Sequence, residues 1–338
     1  VDCGLGVMDD AMVRSAVYTL DPNQLPSFFA ANAKPCLQVI RDGAPPKTLT
    51  ELFSLAEKHS FAKLPQSRLL LDAPESVRDL LVHGPYFEPD GGTAREGMKT
   101  FDNDRFIRLP WEVEGGKIGS EKKWRWLVKG GEFSYFYTEV HLLLNWENDG
   151  AELKEINISL NGSTSQVRQA STFWGREGAT YSKRSSGFSA RALPKDCIFT
   201  SNGPAILPLN DTDPLYLLGW LNSRPIRALT HLNAGAFDSY STGALKRLPW
   251  KTPKPEHTER LGAAVQTAVS AAKRFVSLSD ECSRWFVKLP IVPSLNGTKA
   301  ELERLLQEKV SSEASALDTA DNVISEVYQL PSLEWTTE

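Results

Sequence analysis

Through the first 85 residues short apolar runs alternate with turn-rich stretches. Arg14 to Leu20 and Cys36 to Ile40 have the apolar, β-branched texture of strands. Thr50 ahead of Leu52, Leu55 and Ala56, and Pro74-Glu75 ahead of Val77, Leu80 and Leu81, predict two short helices. This is the pattern of the trailing edge of an α/β sheet. It is too short for a complete doubly wound domain, whose βαβ units take about 30 residues each.

From residue 86 to about 210 the pattern changes to short β-type runs between Gly, Ser and Asn. The runs are Phe106-Ile107-Arg108, Trp124 to Val128, Val140 to Leu144, Ala179 to Ser182 and Cys197 to Thr200, and together they predict a mainly β module. Asp213-Pro214 then predicts an N-cap and first turn for a helix through Leu215, Leu218 and Leu221, and a second helix is expected after Arg224-Pro225. Beyond Pro249, Pro253 and Pro255 the apolar spacing becomes three and four. Leu261, Ala264, Val265, Ala268, Ala272, Phe275 and Val276 make one stripe of an amphipathic helix. Thr298 with Glu301 has the form of a capping box ahead of Leu302, Leu305, Leu306 and Val310, with Leu317, Ile324, Val327 and Tyr328 extending the stripe. A C-terminal helical hairpin is predicted. The fold class that results is α+β in three parts: 1–85 the trailing part of an α/β domain, 86–250 a mainly β module with short helices, and 251–338 the helical region.

Composition narrows the class. With 338 residues, 41% hydrophobic and 24% charged, the chain reads as globular, and at roughly 150 residues per domain its length suggests about two domains. Cys3, Cys36, Cys197 and Cys282 show neither a CxxC pair nor a histidine at ligand spacing, so zinc and a disulfide framework are not expected and a reducing compartment fits. No apolar run approaches the roughly 18 residues of a membrane span, and Val1-Asp2-Cys3-Gly4 is not a signal peptide. A cytoplasmic location without membrane partners is expected. The first residue is Val rather than Met, as expected of a fragment.

The usual catalytic signatures are missing: the sequence has no GxxxxGK[ST], GxGxxG after a strand, HExxH or GxSxG. Gly4-Leu5-Gly6 lacks the third glycine of a dinucleotide loop. His59, His83 and His257 read as surface residues, and His141 beside Leu142-Leu143-Leu144 as a hydrogen-bonded core residue. The net charge of −4 argues against a generally basic nucleic-acid binder. It conceals two local excesses. Residues 117–129 hold five Lys and Arg against Glu121, a net +4, and residues 168–195 hold six against Glu177, a net +5. Trp124, Trp126, Phe173, Trp174 and Tyr181 lie among them. Cations beside a Ser-rich loop are what phosphate contact and base-edge readout require, although lysines that guard exposed strand edges produce the same pattern.

At these residues the sequence resembles a known family. Thr100-Phe101-Asp102-Asn103-Asp104-Arg105-Phe106 with Trp111-Glu112-Val113, Lys129-Gly130-Gly131-Glu132-Phe133, Asn145-Trp146-Glu147-Asn148-Asp149-Gly150, Phe173 to Ser182, and Ser185-Ser186-Gly187-Phe188-Ser189-Ala190-Arg191 occur in one order. They resemble the target-recognition region in the C-terminal half of PglX-type adenine-specific DNA methyltransferases of BREX phage defence, and of related DISARM and Eco57I-like type IIG restriction-modification enzymes. Residues 95–250 carry the resemblance, and the helical tail fits loosely. The family's NPPY motif and its Gly-rich loop for S-adenosyl-methionine are absent. The resemblance therefore implies double-stranded DNA as partner, S-adenosyl-methionine as cofactor of the parent enzyme, no catalytic residue and no cofactor in this chain, and docking to the catalytic portion or to other defence-system proteins.

Lys122, Lys123, Arg125, Lys129, Arg176, Lys183, Arg184 and Arg191 are the expected DNA contacts, with Arg184, Ser185 and Ser186 as base readers. Trp146 is expected in the core, and Asn145 and Asn148 in turns. A protein-interaction module, docking defence partners or a phage DNA mimic on the same basic surface, is the competing expectation. A self-sufficient methyltransferase is a third.

Overall fold

The structure is a computed structural model that describes residues 84–234, 239–279 and 295–330, with residues 80–81 and four short strands ahead of them. The chain divides into two units, one of residues 1–84 with 235–237, the other of 85–234 with 238–338.

In the first unit β1 (Asp2–Leu5) pairs antiparallel with β2 (Arg14–Ala16), and β3 (Phe29–Ala31) with β4 (Phe53–Leu55). The helix expected after Thr50 is thus a strand over Phe53–Leu55, with Ala30 opposite Ser54. Three apolar residues in so short a window satisfy either period, and pairing with a neighbouring strand decides between them. The strand expected at Cys36 to Ile40 lies outside the described residues, as does the helix after Pro74 except at Leu80 and Leu81, which are helical.

The second unit contains β5 (Gly92–Arg95), β6 (Ile107–Arg108), β7 (Trp124–Val128), β8 (Leu142–Asn145), β9 (Gly178–Tyr181), β10 (Ala190–Leu193), β11 (Ile198–Phe199) and β12 (Ala205–Pro208). They form two four-stranded sheets. One has the order β10-β9-β12-β5 and is antiparallel throughout; the other has the order β11-β7-β8-β6, with β11 parallel to β7. Period-two alternation makes the β7–β11 pair a wall between two cores. Leu127 and its partner Ile198 pack with Met98, Phe106, Leu144, Trp146 and Leu153, whereas Val128 and its partner Phe199 pack with Val140, Leu193, Ala205 and Leu207. Trp146, 8% exposed, meets Trp174 edge-on at 5.1 Å, so the core role expected of it holds.

Apart from two single turns, Phe87–Asp90 and Asn103–Phe106, the α-helices of this unit among the described residues are α1 (Glu147–Asn161), α2 (Pro214–Asn222), α3 (Arg224–Ala234), α4 (Thr242–Lys246), α5 (Pro255–Ser279) and α6 (Leu295–Tyr328). Asp213 caps α2 as expected, its Oδ1 accepting the Tyr216 N–H at 2.8 Å. Tyr216 to Asn222 are all buried, which suits a helix that is apolar on every side. Phe87, Tyr216, Trp220 and Trp250 cluster around it with ring separations of 5.1–6.2 Å, and each buried ring contributes about 1.5–3 kcal/mol. Gly219 brings α2 close to α5, since a Cβ there would lie 2.6 Å from Leu261.

Ion pairs Arg260–Glu326 and Arg274–Glu308 set α5 and α6 antiparallel. Tyr328 then bolts α6 down. Its hydroxyl donates to the Pro249 carbonyl at 2.8 Å and accepts from Trp220 Nε1 and the Lys251 N–H. The capping box expected at Thr298 is not what starts this helix, because α6 already runs at Leu295 and the Glu301 carboxylate pairs with Arg304.

Candidate nucleic-acid interface

Four separate segments meet at one cleft of about 730 Å³. They are the end of β7 with the Lys129-Gly130-Gly131 loop, Thr138 to Leu142 entering β8, Thr180 with Ser182 to Arg184 after β9, and Arg191 with Ala192 on β10, closed by Asn202. The loops can approach because side chains are missing where they cross. A Cβ on Gly130 would lie 2.6 Å from the Asn202 carbonyl oxygen, and one on Gly203 would lie 2.5 Å from the Lys129 carbonyl carbon. Ser182 ties the walls together. Its hydroxyl donates to the Gly131 carbonyl at 2.6 Å and accepts from the Gly131 N–H and from Arg191 Nη2. On the far side the Lys183 N–H reaches the Asn202 carbonyl, and the Tyr240 N–H reaches the Lys183 carbonyl.

The ten expected DNA-contacting residues fall in different places. Lys129, Lys183, Arg184 and Arg191 line this cleft. Lys122, Lys123 and Arg125 line a second, shallower groove of about 450 Å³ with Glu121, Trp146, Glu147, Asn148 and Asp149. That groove mixes cations with carboxylates, and Lys123 is held by Glu147 at 2.7 Å. Arg176 lines neither. It bonds the Pro208 carbonyl at 3.1 Å and lies over the Phe173 ring. Ser185 is half-buried and Ser186 exposed, outside both linings.

The environments of the cleft cations differ. Arg184 is exposed, and its backbone bridges to Ser239. Lys183 pairs with Glu96. Arg191 is 3% exposed and gives its guanidinium to neutral oxygens, the Glu132 carbonyl at 3.1 Å and Ser182 Oγ at 3.0 Å. Burial lowers its pKa to about 10, and burial also draws the Lys129 ammonium below the usual lysine range.

His141 lines the same cleft half-exposed and makes no hydrogen bond among the described residues, which corrects the expectation of a hydrogen-bonded core histidine. Thr138, Thr180 and Asn202 were not anticipated as lining residues, because only the pairing of β9 with β12 and the crossing of the glycine loops bring them together. Cys197 is buried, and its thiol donates to the Lys195 carbonyl at 3.6 Å. Among the described residues no cluster of His, Cys, Asp and Glu could hold a metal, and no helix is long and apolar enough to cross a membrane. The cleft does not fit S-adenosyl-methionine, whose sulfonium cation is unsuited to a lining of Lys129, Lys183, Arg184 and Arg191.

No protein-family model matches the chain. Among solved structures, the type IIL restriction-modification enzyme MmeI in complex with DNA aligns with a TM-score of 0.43 at 15% identity, covering 72% of this chain and 33% of that one. The chain is 28% identical over 227 residues to the adenine-specific methyltransferase PglX of Lacticaseibacillus casei (strain Zhang), covering 63% of this chain and 18% of that protein. It is 30% identical over 212 residues to the adenine-specific methyltransferase BrxX of Escherichia coli O9:H4 (strain HS), covering 60% of this chain and 16% of that protein. The chain spans less than a fifth of the length of these curated relatives. Over about 60% of its residues it is similar to the PglX and BrxX adenine-specific methyltransferases, the family whose likeness the sequence showed.

Proposed function

We propose that this chain recognises double-stranded DNA for an adenine-specific methyltransferase of a BREX-like or restriction-modification system, with methyl transfer carried out by residues outside it. The observation that carries the reading is the cleft, where Lys129, Lys183, Arg184 and Arg191 from two distant stretches converge with Thr138, His141, Thr180 and Asn202. Cations that neutralise phosphates set affinity and register, while hydrogen-bonding side chains on loops discriminate base edges. An enzyme that methylates the N6 amine must swing its adenine out of the stack at a cost of a few kcal/mol, and contacts to the rest of the site offset that cost. In this reading Arg184, Ser185 and Ser186 face the bases, and Lys122, Arg125 and Arg176 track the backbone. The parent enzyme uses S-adenosyl-methionine and works in the cytoplasm. Residues 86–250 form the recognition module, residues 1–85 the trailing part of the methyltransferase domain, and the two long helices brace the module.

Selection from a randomised duplex library tests this. The intact chain should enrich a short asymmetric motif, and Arg184→Ala should relax the motif at a single position. Retention of duplexes without any enrichment would leave a basic surface that does not read sequence. Transfer of labelled methyl groups by this chain alone would contradict the assignment of catalysis elsewhere.

A further inference from the structure

Among the described residues the positive charge of the cleft is not balanced. Arg191 sits buried against two neutral acceptors, and its Nε has no partner. Lys129, half-buried on the same cleft, has neither a carboxylate nor a hydrogen-bond acceptor among the described residues. Arg184 at the exposed rim makes no ion pair there. Thr138 Oγ1, also lining the cleft, is buried and unpartnered. Lys183 alone of these cations is neutralised, by Glu96. The carboxylate that does line the cleft, Glu139, accepts the Tyr137 hydroxyl at 3.1 Å and the Val140 N–H at 2.8 Å. For Arg191 and Lys129 burial is the whole cause of the lowered pKa, with no carboxylate opposing it. A fold keeps a desolvated cation without a counter-charge at a cost, and a bound anion removes that cost.

We propose that the cleft is a built phosphate site, in which Lys129 grips one tetrahedral phosphate group, Thr138 donates its hydroxyl to it, and the buried Arg191 supplies a fixed positive field from the floor. Gly131 is part of the construction. A Cβ there would lie 3.2 Å from Arg191 Nη1, so its absence lets the Lys129 loop rest on the guanidinium. The inference deepens the DNA reading and rests on it for the source of the phosphate, a backbone phosphate of the duplex. A free phosphate compound shares the chemistry.

Inorganic phosphate is the probe, titrated into the 338-residue chain and followed by phosphorus NMR line width, with duplex DNA then added as competitor. Saturable binding that weakens about tenfold in Lys129→Met supports the site, since one charge-assisted contact is worth about that factor. Lys129→Met is the informative variant because Lys129 makes no hydrogen bond that folding needs, whereas Arg191→Ala removes a buried strut. Thr138→Val should weaken phosphate less, and Lys254→Ala, an exposed lysine paired with Glu256, should leave it unchanged. Displacement of phosphate by duplex supports the shared site. Phosphate binding that duplex does not displace keeps the site and overturns the DNA source. Duplex binding with no saturable phosphate binding, or phosphate binding indifferent to Lys129→Met and Thr138→Val, overturns the site and leaves the DNA reading standing.

Discussion

Asn148, Asp149 and Gly150 all lie in the left-handed region, at φ of 51°, 57° and 71°, a conformation that L-residues enter singly rather than three in a row. The turn is held by its own contacts. Trp146 Nε1 donates to Asp149 Oδ1 at 3.2 Å, Lys154 pairs with Asp149 at 2.5 Å, and Asn145 Oδ1 accepts the Glu147 N–H, the turn role expected of that asparagine. The Lys154 ammonium also keeps the Asp149 carboxyl below the usual carboxylate range. Gly150→Ala should destabilise by about 2–4 kcal/mol, because its Cβ would meet the Trp146 ring at 2.6 Å as well as a positive φ; a urea midpoint that falls with unchanged m-value is the check. Lys129→Met should have the opposite sign: the melting temperature stays level or rises as DNA affinity falls, since an unpaired half-buried charge is removed. Charge was the least legible property at this scale. The +4 and +5 counted along the chain shrink once folded, because Lys117, Lys123 and Lys183 pair with Glu114, Glu147 and Glu96, all three outside the stretches where the cations were counted and Glu96 more than 80 residues from its lysine. Local spacing cannot register a partner brought by the fold.

Strands and helices with strong periodicity were legible, and those whose identity comes from their neighbours were not. Trp124 to Val128 is a strand over the same five residues that its β-type texture predicts, and the stripe from Leu261 to Val276 lies within α5. Gly92–Arg95, Ala190–Leu193 and Ala205–Pro208 escaped notice because Gly, Ala and Pro carry little strand propensity. Their pairing to β9 and β12 makes them strands. Helix α1 was masked by the Asn-Asp-Gly turn at its start.

Strand β10 is at a sheet edge, and the buried Asn222 at the end of α2 covers it: Oδ1 accepts the Ala190 N–H at 2.9 Å, and Nδ2 donates to the Ala190 and Leu218 carbonyls. Asn222→Leu should cost about 1–3 kcal/mol by stranding the Ala190 N–H, measurable in the same urea titration. Where α6 meets α3, Asp321 accepts the Arg224 N–H at 2.6 Å, yet burial, countered by Arg224 and Arg227 and reinforced by Asp318, holds its carboxyl above the usual range. A carboxyl raised by folding stabilises fully below its unfolded value of about 4, and the contribution is lost as pH rises through the folded value. Asp321→Asn should therefore flatten this loss, seen as a smaller difference in unfolding midpoint across that acid window relative to the parent chain.

For the molecule as a whole, a net charge of −4 coexists with a cationic cleft because the pairing acids and cations lie elsewhere on the surface, in the mixed groove and along α5 and α6. The blocks between residues 95 and 250 made the likeness to adenine-specific methyltransferases legible in the sequence, whereas the cleft, assembled from four separated segments, was not. The direct test of DNA recognition is the affinity of this chain for labelled duplex across a series of salt concentrations, measured by fluorescence anisotropy. Log affinity should fall linearly with log salt at a slope of about −0.9 per phosphate neutralised, and Lys129→Ala should make that slope shallower by about one while Lys254→Ala leaves it unchanged. Salt-independent binding, or a slope indifferent to Lys129→Ala, would contradict recognition of DNA through this cleft.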